Sequence, residues 1–125
     1  QLDDEEYGTI QLVKFQYEVL GYVDYVDESL DWRYIVVTDL NTQYSPKFKA
    51  YFITNGQSVE MKIHKTINKR DKNLITSFNE IPFEDGDVLY IKQWKKQPKK
   101  TKVDGEWVED SSIIEKWIKD YMKVS

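Results

Sequence analysis

The sequence predicts a mainly β domain, a five-stranded barrel with one helix before it and one after it. Three observations carry that expectation. The stretch Trp32–Lys65 is rich in β-branched and aromatic residues and holds three strand-like runs in succession. Two further runs, Val88–Trp94 and Glu106–Glu109, stand on either side of an Asp104-Gly105 turn signal. Both ends of the chain place apolar residues at helical spacing.

The elements follow in order. Leu2–Glu6 is acidic and either frays or supplies negative charge near a helix start. Thr9 is a candidate cap for a helix over Ile10–Leu20, with Ile10, Val13, Tyr17 and Leu20 on one stripe and Gly21 just past its end. Phe15, Val19 and Tyr22 are apolar off that stripe, which leaves a strand as the alternative. Tyr34–Thr38 is the first strand, and Pro46 interrupts the polar loop after it. Phe48–Thr54 and Ser58–Lys65 form a hairpin about Asn55-Gly56, a pair suited to a type I′ turn. In the latter strand Val59, Met61 and Ile63 alternate with Glu60, Lys62 and His64, so one face enters a core and the other meets water. Leu74, Ile75, Phe78 and Ile81 have helical spacing up to Pro82. After the Glu84–Asp87 turn, Val88–Trp94 is the fourth strand, and Lys95–Lys102 is a basic loop or ragged strand extension containing Pro98. Glu106–Glu109 is a short fifth strand. Asp110 or Ser111 then caps a final helix with Ile113, Ile114, Trp117, Ile118 and Tyr121 along its apolar stripe.

This organisation gives residues 1–31 as a lead-in and helix packing on the barrel, 32–110 as the barrel, and 111–125 as an amphipathic helix. Three strands, a short helix and two strands is the element order of an OB-fold, a Greek-key barrel that binds oligonucleotides on its second and third strands and between its loops. An SH3-like barrel or another small α+β sheet would give a similar string.

Composition removes several classes of function. The chain has no cysteine, hence no disulfide framework and no thiolate metal site, and its single histidine, His64, rules out a multi-histidine zinc site. No apolar run approaches the length of a membrane span and no signal peptide is visible, so a cytoplasmic protein is expected. The chain begins at Gln1 without an initiator methionine, as an excised piece of a larger protein would. It carries no Gly-rich phosphate loop, no Ser-His-Asp or Cys-His set and no HExxH. Asp85 and Asp87 flank Gly86 in what reads as a turn rather than a metal site. The expectation is no catalysis, no metal and no cofactor.

A binding surface remains. The net charge of −4 hides a division: residues 43–102 hold 13 Lys/Arg against 6 Asp/Glu, while the rest holds 5 against 16. Within the basic region Lys49 and Tyr51 share one strand face, Lys62 and His64 another, and Lys92 and Trp94 a third. Loop residues Tyr44, Lys47, Lys69, Arg70, Lys72, Lys95, Lys96, Lys99 and Lys100 add to them. Lysines offset phosphate charge and aromatic faces stack on bases, which is what a single-stranded nucleic-acid site requires. The competing reading puts Tyr51 and Trp94 in the core and leaves the lysines as solubilising charge.

The run Phe15–Val23 (FQYEVLGYV), followed by these strands, resembles the tail of a bacterial replicative DNA polymerase III alpha subunit, of the C family. Glu18, Leu20 and Gly21 fit that family's E-x-LG stretch, Arg33–Lys65 its first three OB strands, and Phe83–Trp94 the acidic turn and strand that follow. The chain departs from the pattern in having Tyr22–Tyr25 (YVDY) where His-Pro often follows, and in a loop Thr42–Lys47 that is less basic and less glycine-rich. The resemblance implies a non-catalytic fragment that holds single-stranded template near the polymerase or contacts other replication proteins. Lys47, Lys49, Lys62, Lys69, Arg70, Lys92, Lys95 and Lys96 would then supply charge, with Tyr51, His64 and Trp94 as stacking surfaces. The alternative is a protein-docking module, and exposure of Trp117 and Ile118 on a last helix would favour it.

Overall fold

The structure is a computed structural model and describes residues 3–65, 78–79 and 81–124. Among the described residues one helix, α1 (Asp4–Leu20), precedes five strands: β1 (Tyr34–Asn41), β2 (Lys47–Phe52), β3 (Ser58–Ile63), β4 (Val88–Val103) and β5 (Glu106–Lys123). The fold is mainly β. Pairings run β1-β2-β3-β5-β4 and return from β4 to β1, so the sheet closes on itself. All are antiparallel except β3 with β5, which join in parallel through Lys62–Trp117 and Ile63–Ile118.

The helix begins earlier than Thr9. Asp3 caps it by accepting from Glu6 N at 2.8 Å, and the Glu6 carboxylate accepts from Asp3 N in return. The acidic lead-in is therefore the first turn, where Asp4, Glu5 and Glu6 meet the positive end of the helix dipole. Thr9 lies buried inside the helix, and its hydroxyl donates to Asp27 at 2.8 Å. Gly21 ends the helix at φ 77, a left-handed position that costs glycine nothing.

Two cores form on the two faces of the sheet. The inner face holds Ile35, Val37, Phe48, Ala50, Met61, Ile63, Leu89, Ile91, Ile118 and Tyr121. On the outer face, Ile10 and Val13 of α1 pack on Tyr34, Val36, Tyr51, Ile53 and Val88. Strand β1 is buried on both sides from Tyr34 to Val37, which explains its unbroken apolar run. The Glu84–Asp87 turn ties these layers together. Asp85 accepts from Leu40 N, while Asp87, buried, accepts from Glu84 N and pairs with Lys14 of α1 and Lys123 of β5.

The largest correction concerns the C-terminal segment. Residues 111–123 form no helix; they continue β5, and Lys95–Lys102 continues β4, giving strands of 16 and 18 residues. The helix-like spacing has a structural cause. Register shifts leave Lys92 as an extra residue on β4 and Lys119 on β5, so Ile118 and Tyr121 both face inward although three apart. A wider shift after Pro98 takes up residues 111–113, where Asp110 accepts from Ser112 N and its hydroxyl. Those bonds are the ones a helix N-cap makes, here spent on a bulge.

The two turn signals also differ in outcome. At Asp104-Gly105 both residues have positive φ, 52 and 82, as a type I′ hairpin requires. At Asn55-Gly56 only Gly56 is positive, and Asn55 instead accepts from Gln57 N through its side chain at 3.0 Å. The expected helix near residues 74–81 falls largely outside the described residues.

Candidate binding groove

The long β4–β5 hairpin reaches past the closed sheet and faces the β1–β2 loop. Between them lies a groove of about 570 Å3, with Tyr44, Lys47, Lys62, His64, Lys100 and Trp107 among its walls and Glu115 and Trp117 at its floor. Tyr44 is 79% exposed and Trp107 69%, so two aromatic faces stand free in water beside three lysines. Trp107 owes its place to the turn. Asp104-Gly105 sets Val103 opposite Glu106 and Lys102 opposite Trp107, which sends Trp107 to the same face as Lys100.

The floor is held by local contacts. His64 stacks on Trp117 with centroids 4.6 Å apart and planes 29° apart. Lys62 forms an ion pair with Glu115, and its ammonium lies 5.8 Å from the Trp117 ring centre. The indole Nε1 of Trp117 is buried without a hydrogen-bond partner. Lys119 Nζ sits 3.4 Å from His64 Nε2, a geometry that suits an ammonium donor on a neutral ring.

Burial, and secondly the Lys119 charge, hold the His64 pKa below its ordinary 6.5. As pH falls through that ordinary value the unfolded chain takes up a proton that the folded chain refuses. Stability should therefore decline with falling pH, down to the depressed folded pKa, and be free of this contribution at higher pH. Denaturant midpoints measured from about pH 7 to 5 should slope downward, and His64→Asn should flatten the slope. An unchanged slope in the variant would show that His64 is not its source.

The residues expected at a site from sequence divide into three groups. Lys47, Lys62 and His64 meet in the groove, with Tyr44 and Lys100 from the loop residues. Lys49, Lys92, Trp94, Lys95 and Lys96 do not line it. Lys49 is exposed, 3.6 Å from Asp39. Trp94 is half-buried against the inner core, with Lys96 Nζ 5.9 Å from its ring centre. Tyr51 is no stacking surface: it is buried under α1 and its neighbours, and its hydroxyl donates to Tyr25 O at 2.8 Å. Lys69 and Arg70 lie outside the described residues. Sequence reasoning missed Trp107, Glu115 and Trp117. The turn register was enough to find Trp107, whereas the bulges of β5 concealed the other two.

Fold and groove define the class as a mainly β protein with an N-terminal helix and a basic, aromatic cleft at the mouth of its sheet. The chain matches no known protein family, no curated protein and no solved structure. Among the described residues no helix is long and apolar enough to cross a membrane.

Proposed function

We propose that this chain is an OB-fold-like domain that binds single-stranded nucleic acid, DNA in the first instance, weakly and with little sequence preference. The ring order β1-β2-β3-β5-β4 supports the fold reading, because the groove then falls between the β1–β2 and β4–β5 connections, where such barrels take oligonucleotides. One observation carries the functional reading: exposed Tyr44 and Trp107 stand beside Lys47, Lys62 and Lys100 around one groove. Bases stack on the aromatic faces while the ammonium groups displace counterions from phosphates. The proposal assigns this chain no catalysis, metal or cofactor. The polymerase parentage rests on Glu18, Leu20, Gly21 and the strand pattern alone, and the binding proposal stands without it.

Fluorescence anisotropy of labelled oligo-dT and its duplex, at low and physiological salt, tests the proposal. Saturable, salt-sensitive binding to the single strand is expected. Trp107→Ala should weaken it by about 1–3 kcal/mol, the worth of one stacked base. Lys47→Glu with Lys100→Glu should lower the salt slope by about 0.7 for each phosphate no longer neutralised. Lys95→Glu with Lys96→Glu, outside the groove, should matter less. Absence of binding at low salt would overturn the proposal. The docking-module alternative loses the support it sought from the C-terminal segment, since Trp117 and Ile118 are buried on β5.

A further inference from the structure

We propose that the bound single strand continues beyond the groove, across the edge of β5, into a second cavity whose lysines take its next phosphates. This extension rests on the nucleic-acid reading above. The second cavity, of about 270 Å3, lies between β3 and the bulged part of β5, with Lys99, Ile113, Ile114 and Lys116 among its walls. Its origin is the short contact between those two strands. They pair only at Lys62–Trp117 and Ile63–Ile118, so Val59 and Glu60 stand across a gap from residues 113–116. Lys47, Lys62 and Glu115 line both cavities and mark where they meet.

The two cavities differ in chemistry. The groove presents exposed aromatic faces, whereas the second cavity presents cations and aliphatic surface. Lys99 adjoins Lys100 on β4 and Lys116 adjoins Glu115 on β5, so alternation turns them to the hairpin face opposite the groove. A strand running from one cavity to the other therefore crosses the β5 edge. At that crossing Glu115 already holds Lys62, which leaves Lys47 as the cation for a phosphate. Beyond it Lys99 and Lys116 are half-buried, and among the described residues neither forms an ion pair. Lys99 stands opposite Asp110, whose carboxylate is spent on Ser112. Lys116 stands directly opposite Lys96, a like-charge pair that costs stability and that a phosphate would relieve. Glu60, the other carboxylate at this cavity, faces Lys49 of β2. Ile113 and Ile114, 44% and 51% exposed, offer apolar surface to the base between those phosphates.

Competition against a labelled oligo-dT decamer gives the affinities of the decamer and of a tetramer, about the smallest site such folds take. Lys99→Gln with Lys116→Gln should weaken the decamer at least about fivefold and lower its salt slope by about 1.4, the share of two phosphates. The tetramer, held by the groove, should stay within about twofold of its affinity for the parent, which also shows that the variant is folded. Lys92→Gln with Lys95→Gln, an equal change of charge outside both cavities, should cost the decamer less. Equal losses at both lengths, or a decamer loss no greater than that of the Lys92 and Lys95 pair, would overturn the second site and leave the groove reading standing. Absence of binding at either length, or binding indifferent to Trp107→Ala, would remove the groove reading and this extension with it.

Discussion

Phe83→Ala is expected to cost about 4 kcal/mol of stability, lowering the thermal midpoint on the order of 10–15 °C. Phe83 is almost fully buried on the inner face, just before the turn that feeds β4. Its ring meets Phe48, Phe78 and Tyr121 edge to face at centroid distances of 5.2, 5.0 and 5.4 Å. Truncation removes the transfer energy of a large ring and leaves a cavity that three aromatic neighbours, each held by its own backbone, cannot refill. The edge-to-face contacts add about 0.5–1.5 kcal/mol per pair beyond area. Phe83→Leu keeps most of the volume and should cost only about 1–2 kcal/mol. Urea unfolding followed by tryptophan fluorescence separates the two. Equal, small losses would mean that the inner core does not depend on this ring.

Gly86→Ala should destabilise by about 2–4 kcal/mol, for two separable reasons. Gly86 sits at φ 90, and a Cβ there would lie 2.5 Å from Cδ2 and 2.6 Å from Cε2 of Tyr17. Its amide also donates to Val37 O at 2.8 Å, which fixes the turn against β1 and hinders escape. The backbone strain is independent of Tyr17; the ring contact is not. In a Tyr17→Ala background the same substitution should lose at least about 1 kcal/mol of its effect and retain the remainder. A fully additive double mutant would place the whole cost in the backbone.

How much was legible follows from where local rules coincide with the tertiary arrangement. Strands β1 to β3 could be read because Met61 and Ile63 alternate with outward residues, and because Tyr34–Val37 is apolar throughout. The placing of Lys62 and His64 on outward positions was legible for the same reason, whereas Lys47, expected in the loop, is the first residue of β2. Tyr51 shows the limit of that rule: it points outward from the sheet as alternation requires, yet α1 and the segment after it cover that part of the outer face. Alternation fixes which face a side chain takes and says nothing about what lies on it.

The sequence by itself determined a mainly β chain with one N-terminal helix, the Asp104-Gly105 hairpin, and a concentration of lysines and aromatics in its middle. Tertiary structure decided that β5 is a strand. Its apolar residues Trp117, Ile118 and Tyr121 have a spacing that fits either helix or bulged strand. Long-range pairing to β3 and β4 satisfies its backbone groups and buries Ile118 and Tyr121 on the inner face, a gain that no local propensity encodes. That pairing also set Trp117 beneath His64, and together with the local Asp104-Gly105 turn, which puts Trp107 on the face of Lys100, it built the groove.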